Sequence, residues 1–251
     1  MKTSAEWISY FNNNLQQKRI DWSQSPAITS DELKPVLKSM QAWQLGESNE
    51  GHNLIKVSEK YAVANRDALY VDAIKLFIKE EQKHGNNLGK YLDAIGQPRI
   101  KKNWFDTLFR RIRNLNSSME MWTLAVIAGE SAAQIFYQSL KDATSCPLLK
   151  EICTDILIDE APHIKFQQER MARIFSKKTM AGMAISFYGY KLFFKITSLA
   201  VWMAYKKVFS AGGNDFTKYY KKMNLKLEKT VGRLKYGMNE NSLVPSYPAV
   251  S

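Results

Sequence analysis

Cysteine is nearly missing from this chain of 251 residues: there are two, Cys146 and Cys153. Seven positions apart in one predicted helix, they share a face but stand about two turns from each other, too far for a disulfide. They read as small buried thiols of a reducing compartment. Proline and glycine are scarce, at 7 and 12 residues, which excludes a linker-rich or low-complexity chain. Alternating apolar and polar runs closed by hairpin turns are absent, so no sheet competes with helix. The longest apolar run, 180–205, is interrupted by Lys191 and Lys195 and falls short of a membrane span. The N-terminal MKTSAEWISYFNNN lacks the apolar core of a secretory signal. These absences lead to the expectation of a soluble, cytoplasmic, all-α protein, with a peripheral membrane contact left open.

What is abundant is apolar residue content, at 45%, and positive charge, with a formal net of +12. The charge is unevenly placed. Residues 165–237 carry 16 Lys and Arg against 3 acids, and the rest of the chain is close to neutral. A basic, aromatic-rich tail of this kind is an ordinary solvated face or a surface for anionic lipid or an acidic partner; nucleic acid is not expected.

Four long helical segments are predicted. Helix A covers 31–62 and starts at SDELKP, where Ser30 or Asp31 can cap. Helix B covers 66–95 and stops at Gly96. Helix C covers 116–143, and helix D runs to 176 after a cap at Ser145. Short links make A–B and C–D antiparallel hairpins, and a long crossover, QPRIKKNWFDTLFRRIRNLN, joins them. Two hairpins with one long crossover form a four-helix bundle of ferritin-like type. The expected division is an arm at 1–30, the bundle at 31–176, basic helices at 177–238 and a tail at 239–251.

The stripe that should face the core contains charge. On helix B it reads Ile74, Phe77, then Glu81 and His84, then Leu88; on helix D it reads Ile152, Ile156, then Glu160 and His163, then Phe166. Glu and His three apart project from one helix face and can reach one ion. With 14 Glu among 251 residues, a Glu three before a given His arises by chance about 6% of the time, yet two of the three histidines carry it. On helix C, Glu130 is the one charged residue in MWTLAVIAGESAAQIFYQSL; burying it calls for a proton, a partner or a cation. Helix A offers Glu47 or Glu50. Glu47 is preferred, because it is as far from the A–B turn as Glu81 is and shares the string GES with Glu130. The third histidine, His52, points off this face and reads as a surface or capping residue. Pro162, inside LIDEAPHIKF, removes a backbone donor and predicts a bend or π-bulge.

Two facing copies of GES, a turn and Glu-x-x-His gather four carboxylates and two imidazoles around two metal positions. Over 31–176 the chain resembles the ferritin-like, rubrerythrin-like di-iron carboxylate superfamily, and AGESAAQIFY resembles the helix in which a ligating Glu is followed seven residues later by a Tyr, here Glu130 and Tyr137. The resemblance implies Glu47, Glu81, His84, Glu130, Glu160 and His163 as metal ligands. It implies Glu80 and Asp159 as acids bracing the opposite histidine, two Fe ions or a Mn/Fe pair, and O2 or peroxide as co-substrate. It leaves open a small-molecule substrate, an external electron donor and a homo-oligomer. Tyr137 reads as a core residue rather than a redox-active one. No rubredoxin-type cysteine quartet is present, and Leu88 stands where ribonucleotide reductase carries its radical Tyr, which disfavours both of those activities. The expected function is an O2- or peroxide-activating oxidoreductase. The alternatives are a protective ferroxidase and a metal-stabilised interaction module whose basic helices dock on a membrane or acidic partner.

Overall fold

The computed structural model describes residues 1–104, 107, 111 and 118–236, apart from the side chains of 235 and 236. Most of the crossover after Trp104 and the tail 239–251 lie outside the described residues. Among those described there is no strand. The helices are α1 (Ser4–Leu15), α2 (Ser30–Glu47), α3 (His52–Asn65), α4 (Tyr70–Ala94), α5 (Met119–Asp142), α6 (Pro147–Phe175), α7 (Met180–Ala211) and α8 (Phe216–Lys229), followed by a 3₁₀ turn, Val231–Tyr236.

Side-chain caps fix where several helices begin. Thr3 and Thr29 form capping boxes with Glu6 and Glu32, Ser118 and Thr179 cap α5 and α7, and Asp215 caps α8. Each side-chain oxygen satisfies a first-turn amide that the helix itself cannot. Two expected caps are corrected. Thr29, not Ser30 or Asp31, precedes α2, and Cys146, not Ser145, precedes α6, with no side-chain cap bond and with Pro147 at the favoured first position.

The bundle consists of α2 with α3, α4, α5 and α6. The main packing pairs are α5 with α6, α2 with α4 and α3 with α4, while α4 also meets α6 across the centre. One buried cluster fills the end nearest α7 and α8, with Met40, Leu88, Phe136, Ile152 and Phe194 among its members. A second lies under α1, with Trp7, Phe11, Phe77, Trp122 and Phe166. The stretch expected as an arm thus supplies α1, a helix packed on α4.

Two other expectations change. Helix A is not one helix: it ends at Glu47 and resumes at His52. Asn49 Oδ1 accepts from the Gly51 amide (2.9 Å), and Gly51 takes φ +66°, a left-handed turn that glycine adopts without Cβ strain. Helix α6 runs through Pro162 as α-helix with no π turn. Ile158, whose carbonyl loses its donor, is an exposed residue on the helix surface.

Candidate metal centre

All six expected residues lie on the bundle's inner stripes. Glu81 and His84 come from the middle of α4, Glu160 and His163 from the middle of α6, Glu130 from α5, and Glu47 is the last residue of α2. Glycine helps to place Glu47. A Cβ on Gly85, next to His84, would stand 2.7 Å from Ser48 Oγ and 3.0 Å from Ser48 N, so its absence lets the end of α2 press against α4.

Two groups of ligand-type atoms result. Atoms of Glu81, Glu130, Glu160 and His163 lie within 4.8 Å of one another, as do atoms of Glu47, His84 and Glu160. Glu160 belongs to both. Its Oε1 is 3.8 Å from His84 Nδ1 and its Oε2 is 3.7 Å from His163 Nδ1, so one carboxylate faces two imidazoles whose ring centres are 5.7 Å apart. Glu50 and His52 pair with each other at 3.2 Å on the exposed surface and do not join.

A ring of polar contacts sets the imidazoles. His84 Nε2 bonds Asp159 Oδ2 (3.1 Å), and His163 Nε2 bonds Glu80 Oε2 (2.8 Å), the crosswise bracing that the resemblance implies. Ionised carboxylates only accept, so each Nε2 carries a proton, and in the neutral ring that metal ligation requires each Nδ1 turns a lone pair inward. Asp159 is held well below the usual carboxylate range. Burial works to raise it, but hydrogen bonds from His84 and Asn14 and the Lys83 charge outweigh burial.

The residues that sequence reading missed are in this ring. Asn14 Nδ2, at the end of α1, donates to Glu80 Oε1 (2.7 Å) and Asp159 Oδ1 (2.8 Å); one amide therefore joins the braces of both histidines. Arg19 donates to Asp155 (2.6 Å), to Asp159 (2.8 Å) and to Asn14 Oδ1. Lys83 reaches Asp159 (2.9 Å). No motif marks Asn14, which sits in the polar run Asn12–Asn14 of an apparent arm. Its signal was amphipathic: Trp7, Phe11 and Asn14 step at four and three residues along one helix face.

The inner groups carry too much negative charge to be buried alone. Burial, then the neighbouring Glu81, pushes Glu47 well above the ordinary carboxylate value. Burial, then Glu160, does the same to Glu130, and Glu160 is pushed up to about 7, chiefly by burial. Glu81 is raised by burial and Glu130. Burial lowers His163, but the charges of Glu81 and its neighbours more than reverse this, and its net shift is upward. Both oxygens of Glu160 and Nδ1 of His84 are buried without a hydrogen bond, while His163 Nδ1 and Glu81 Oε1 face each other at 2.8 Å as an ion pair. Such orphaned acceptors converging on one space fit cations, and four carboxylates match the charge of two divalent ions. Mixed carboxylate and imidazole donors suit iron and manganese.

A cavity of about 220 Å³ opens on this group where α2 gives way to α3, with Glu47, Glu81 and Glu130 on one side and Leu54, Phe77 and Trp122 on another. Tyr137, fully buried, donates to Glu47 Oε1 (2.7 Å). It is a core residue, as expected, and it also fixes one carboxylate of the group.

No protein-family model matches the chain, and no curated protein matches it in sequence. Among solved structures, the chain is similar to variants of an R2-like ligand-binding oxidase. One, with an aerobically reconstituted Mn/Fe cofactor, is 16% identical, with 90% of this chain and 93% of that one covered and a TM-score of 0.61. Another, also aerobically reconstituted, is 14% identical, with 94% and 93% covered and a TM-score of 0.60. A third, with an anaerobically reconstituted Mn/Fe cofactor, is 15% identical, with 90% and 92% covered and a TM-score of 0.60. At such identities the likeness is one of fold: this chain has the all-α ferritin-like bundle.

Proposed function

We propose that this protein is a di-metal oxidoreductase that uses O2 or peroxide to oxidise a small-molecule substrate. Two Fe ions or a Mn/Fe pair are held by Glu47, Glu81, His84, Glu130, Glu160 and His163. The observation that carries the reading is Glu160, buried and unpartnered, with one oxygen toward each histidine. The fold shared with oxidases that carry a Mn/Fe cofactor supports it.

Bound metals supply the redox electrons for reducing O2 or peroxide. The chain's own residues do the rest. Asp159 and Glu80 keep each imidazole in the tautomer that ligates, the Tyr137 hydroxyl orients Glu47, and the aromatic and aliphatic wall of Leu54, Phe77 and Trp122 excludes water beside the acids. A cavity of that size, lined by Asn49, His52 and Asn53 as well as by Leu54, Phe77 and Trp122, suits a small substrate with both polar and apolar parts. Electrons from an external donor complete the cycle.

The test is O2 consumption by protein loaded anaerobically with Fe(II), followed optically. Wild type should consume O2 and develop oxidised-metal absorption; Glu160→Ala should do neither. Wild type that binds iron and leaves O2 untouched would remove the oxidase reading.

A further inference from the structure

Helix α7 is apolar on two opposite faces. Phe187, Tyr190, Phe194, Val201 and Val208 are buried against the rest of the protein. On the other side Ile185, Tyr188, Leu192, Ile196, Leu199 and Met203 are between 45% and 76% exposed. Steps of three and four residues keep these six within a sector of roughly 80°, a straight ridge about 27 Å long that ends before the kink at Tyr205. Apolar patches on monomers seldom exceed about 300–600 Å². Six large exposed side chains in line form a patch of the kind that is often functional.

Charge decides what covers it. From 170 to 214 the chain has eight bases and no acid. Lys195, Lys206 and Lys207 on α7 are exposed and form no ion pair among the described residues. Helix α8 packs beside α7, with Phe216 edge-on to Trp202 at 5.5 Å, and it adds exposed Lys218, Lys221 and Lys229 as well as exposed Phe216 and Leu225. The nearby acid Glu228 is already paired with Lys191 (3.0 Å). A second copy docked ridge to ridge would bring two sets of lysines together with no acid on α7 to meet them. Anionic lipid offers the complement: headgroups for the lysines and acyl chains for the ridge. Among the described residues no helix is long and apolar enough to cross a membrane, and the opposite face of α7 is committed to the core. The helix would therefore lie in the plane of the interface.

We propose that the α7 ridge and its flanking lysines dock this protein on an anionic membrane surface. The inference does not depend on the metal centre. Flotation of the full chain with phosphatidylcholine vesicles, with and without phosphatidylglycerol, tests it. Wild type should float with the anionic vesicles and stay largely behind with neutral ones. A variant combining Ile185→Gln, Leu192→Gln and Ile196→Gln, all at exposed positions, should lose at least about tenfold in partitioning. Lys206→Gln with Lys207→Gln should lose roughly fivefold per lysine, most clearly at low salt. No flotation of wild type, or equal flotation of the ridge variant, overturns the proposal. So does sedimentation showing a wild-type dimer that the ridge variant splits while lipid binding is unchanged, which would give the ridge to a second copy.

Discussion

In the α5–α6 hairpin Glu130 lies in the interior of an unbroken helix, and Ser131 after it back-bonds to the Ile127 carbonyl (2.7 Å). In the α2–α4 half, Glu47 is followed by the same residue type making the same bond, Ser48 to the Gln44 carbonyl (2.8 Å), yet the helix stops there. Gly51, four positions on, turns left-handed at φ +66°; Gly129, before Glu130, sits in regular helix with open space around it. The candidate ligands repeat while their surroundings do not. One half keeps its helix unbroken, and the other breaks just after its acid, where a cavity lined by both acids opens.

Substitutions at the ligands should have the largest effect and should tell the halves apart. Glu160→Ala removes the carboxylate common to both groups, and bound metal per chain, measured by mass spectrometry after anaerobic Fe(II) loading, should fall from about two to near zero. Glu130→Ala and Glu47→Ala each spoil one half, and each should retain about one.

Next in size is the pH response of metal-free protein. Glu47, Glu81, Glu130 and Glu160 all have values raised above the ordinary 4.5. Folding therefore takes up protons between the unfolded value and the folded one, about 7 for Glu160. The folded state binds more protons than the unfolded one, so stability falls as pH rises through that window. His163, also raised, has the same sign above its ordinary 6.5. Asp159, held low, has the opposite sign, but acts only below its ordinary 3.8. Thermal unfolding with and without Mn(II) should show a gap in Tm that widens from about pH 5 to about pH 7. A gap that narrows would contradict this.

The glycines sharpen the contrast directly. Gly51→Ala forces a left-handed Cβ that would stand 2.5 Å from Ile78 Cδ1 and should cost about 1–2 kcal/mol in chemical denaturation. Gly129→Ala, in open helical space, should add about 0.5–1 kcal/mol. Equal signs for the two would mean that the halves are not built differently. Asn14→Ala takes one amide from both braces at once and should weaken metal binding about tenfold in a chelator competition, with no loss of stoichiometry. The smallest change is Tyr137→Phe, which leaves Glu47 without its donor; about 1 kcal/mol of stability and altered spectra of the Glu47 half are expected, at full metal content.

The features readable from sequence were those with a period. Glu81, His84, Glu160 and His163 interrupt apolar stripes at positions that only an inward-facing demand explains, and Glu130 stands alone in an apolar run. Equal distance from a turn also favoured Glu47, which the structure brings to the group while Glu50 stays at the surface. What escaped reading depends on single residues or on distant partners. The break after Glu47 rests on Asn49 and Gly51, a turn signal short enough to be absorbed into a long helix. Asn14 owes its place to acids 66 and 145 residues away. Pro162 predicted a bend or π-bulge from its lost hydrogen bond, which is visible in sequence, whereas its place on a helix that continues with no π turn, beside the exposed Ile158, is not.

The central claim is that two cations share Glu160 between unequal halves. Anaerobic titration of the full chain with Fe(II), reading bound iron per chain, tests it most directly. The account predicts saturation at two per chain in wild type and near none in Glu160→Ala; saturation at one, or wild-type binding that Glu160→Ala leaves intact, would contradict it.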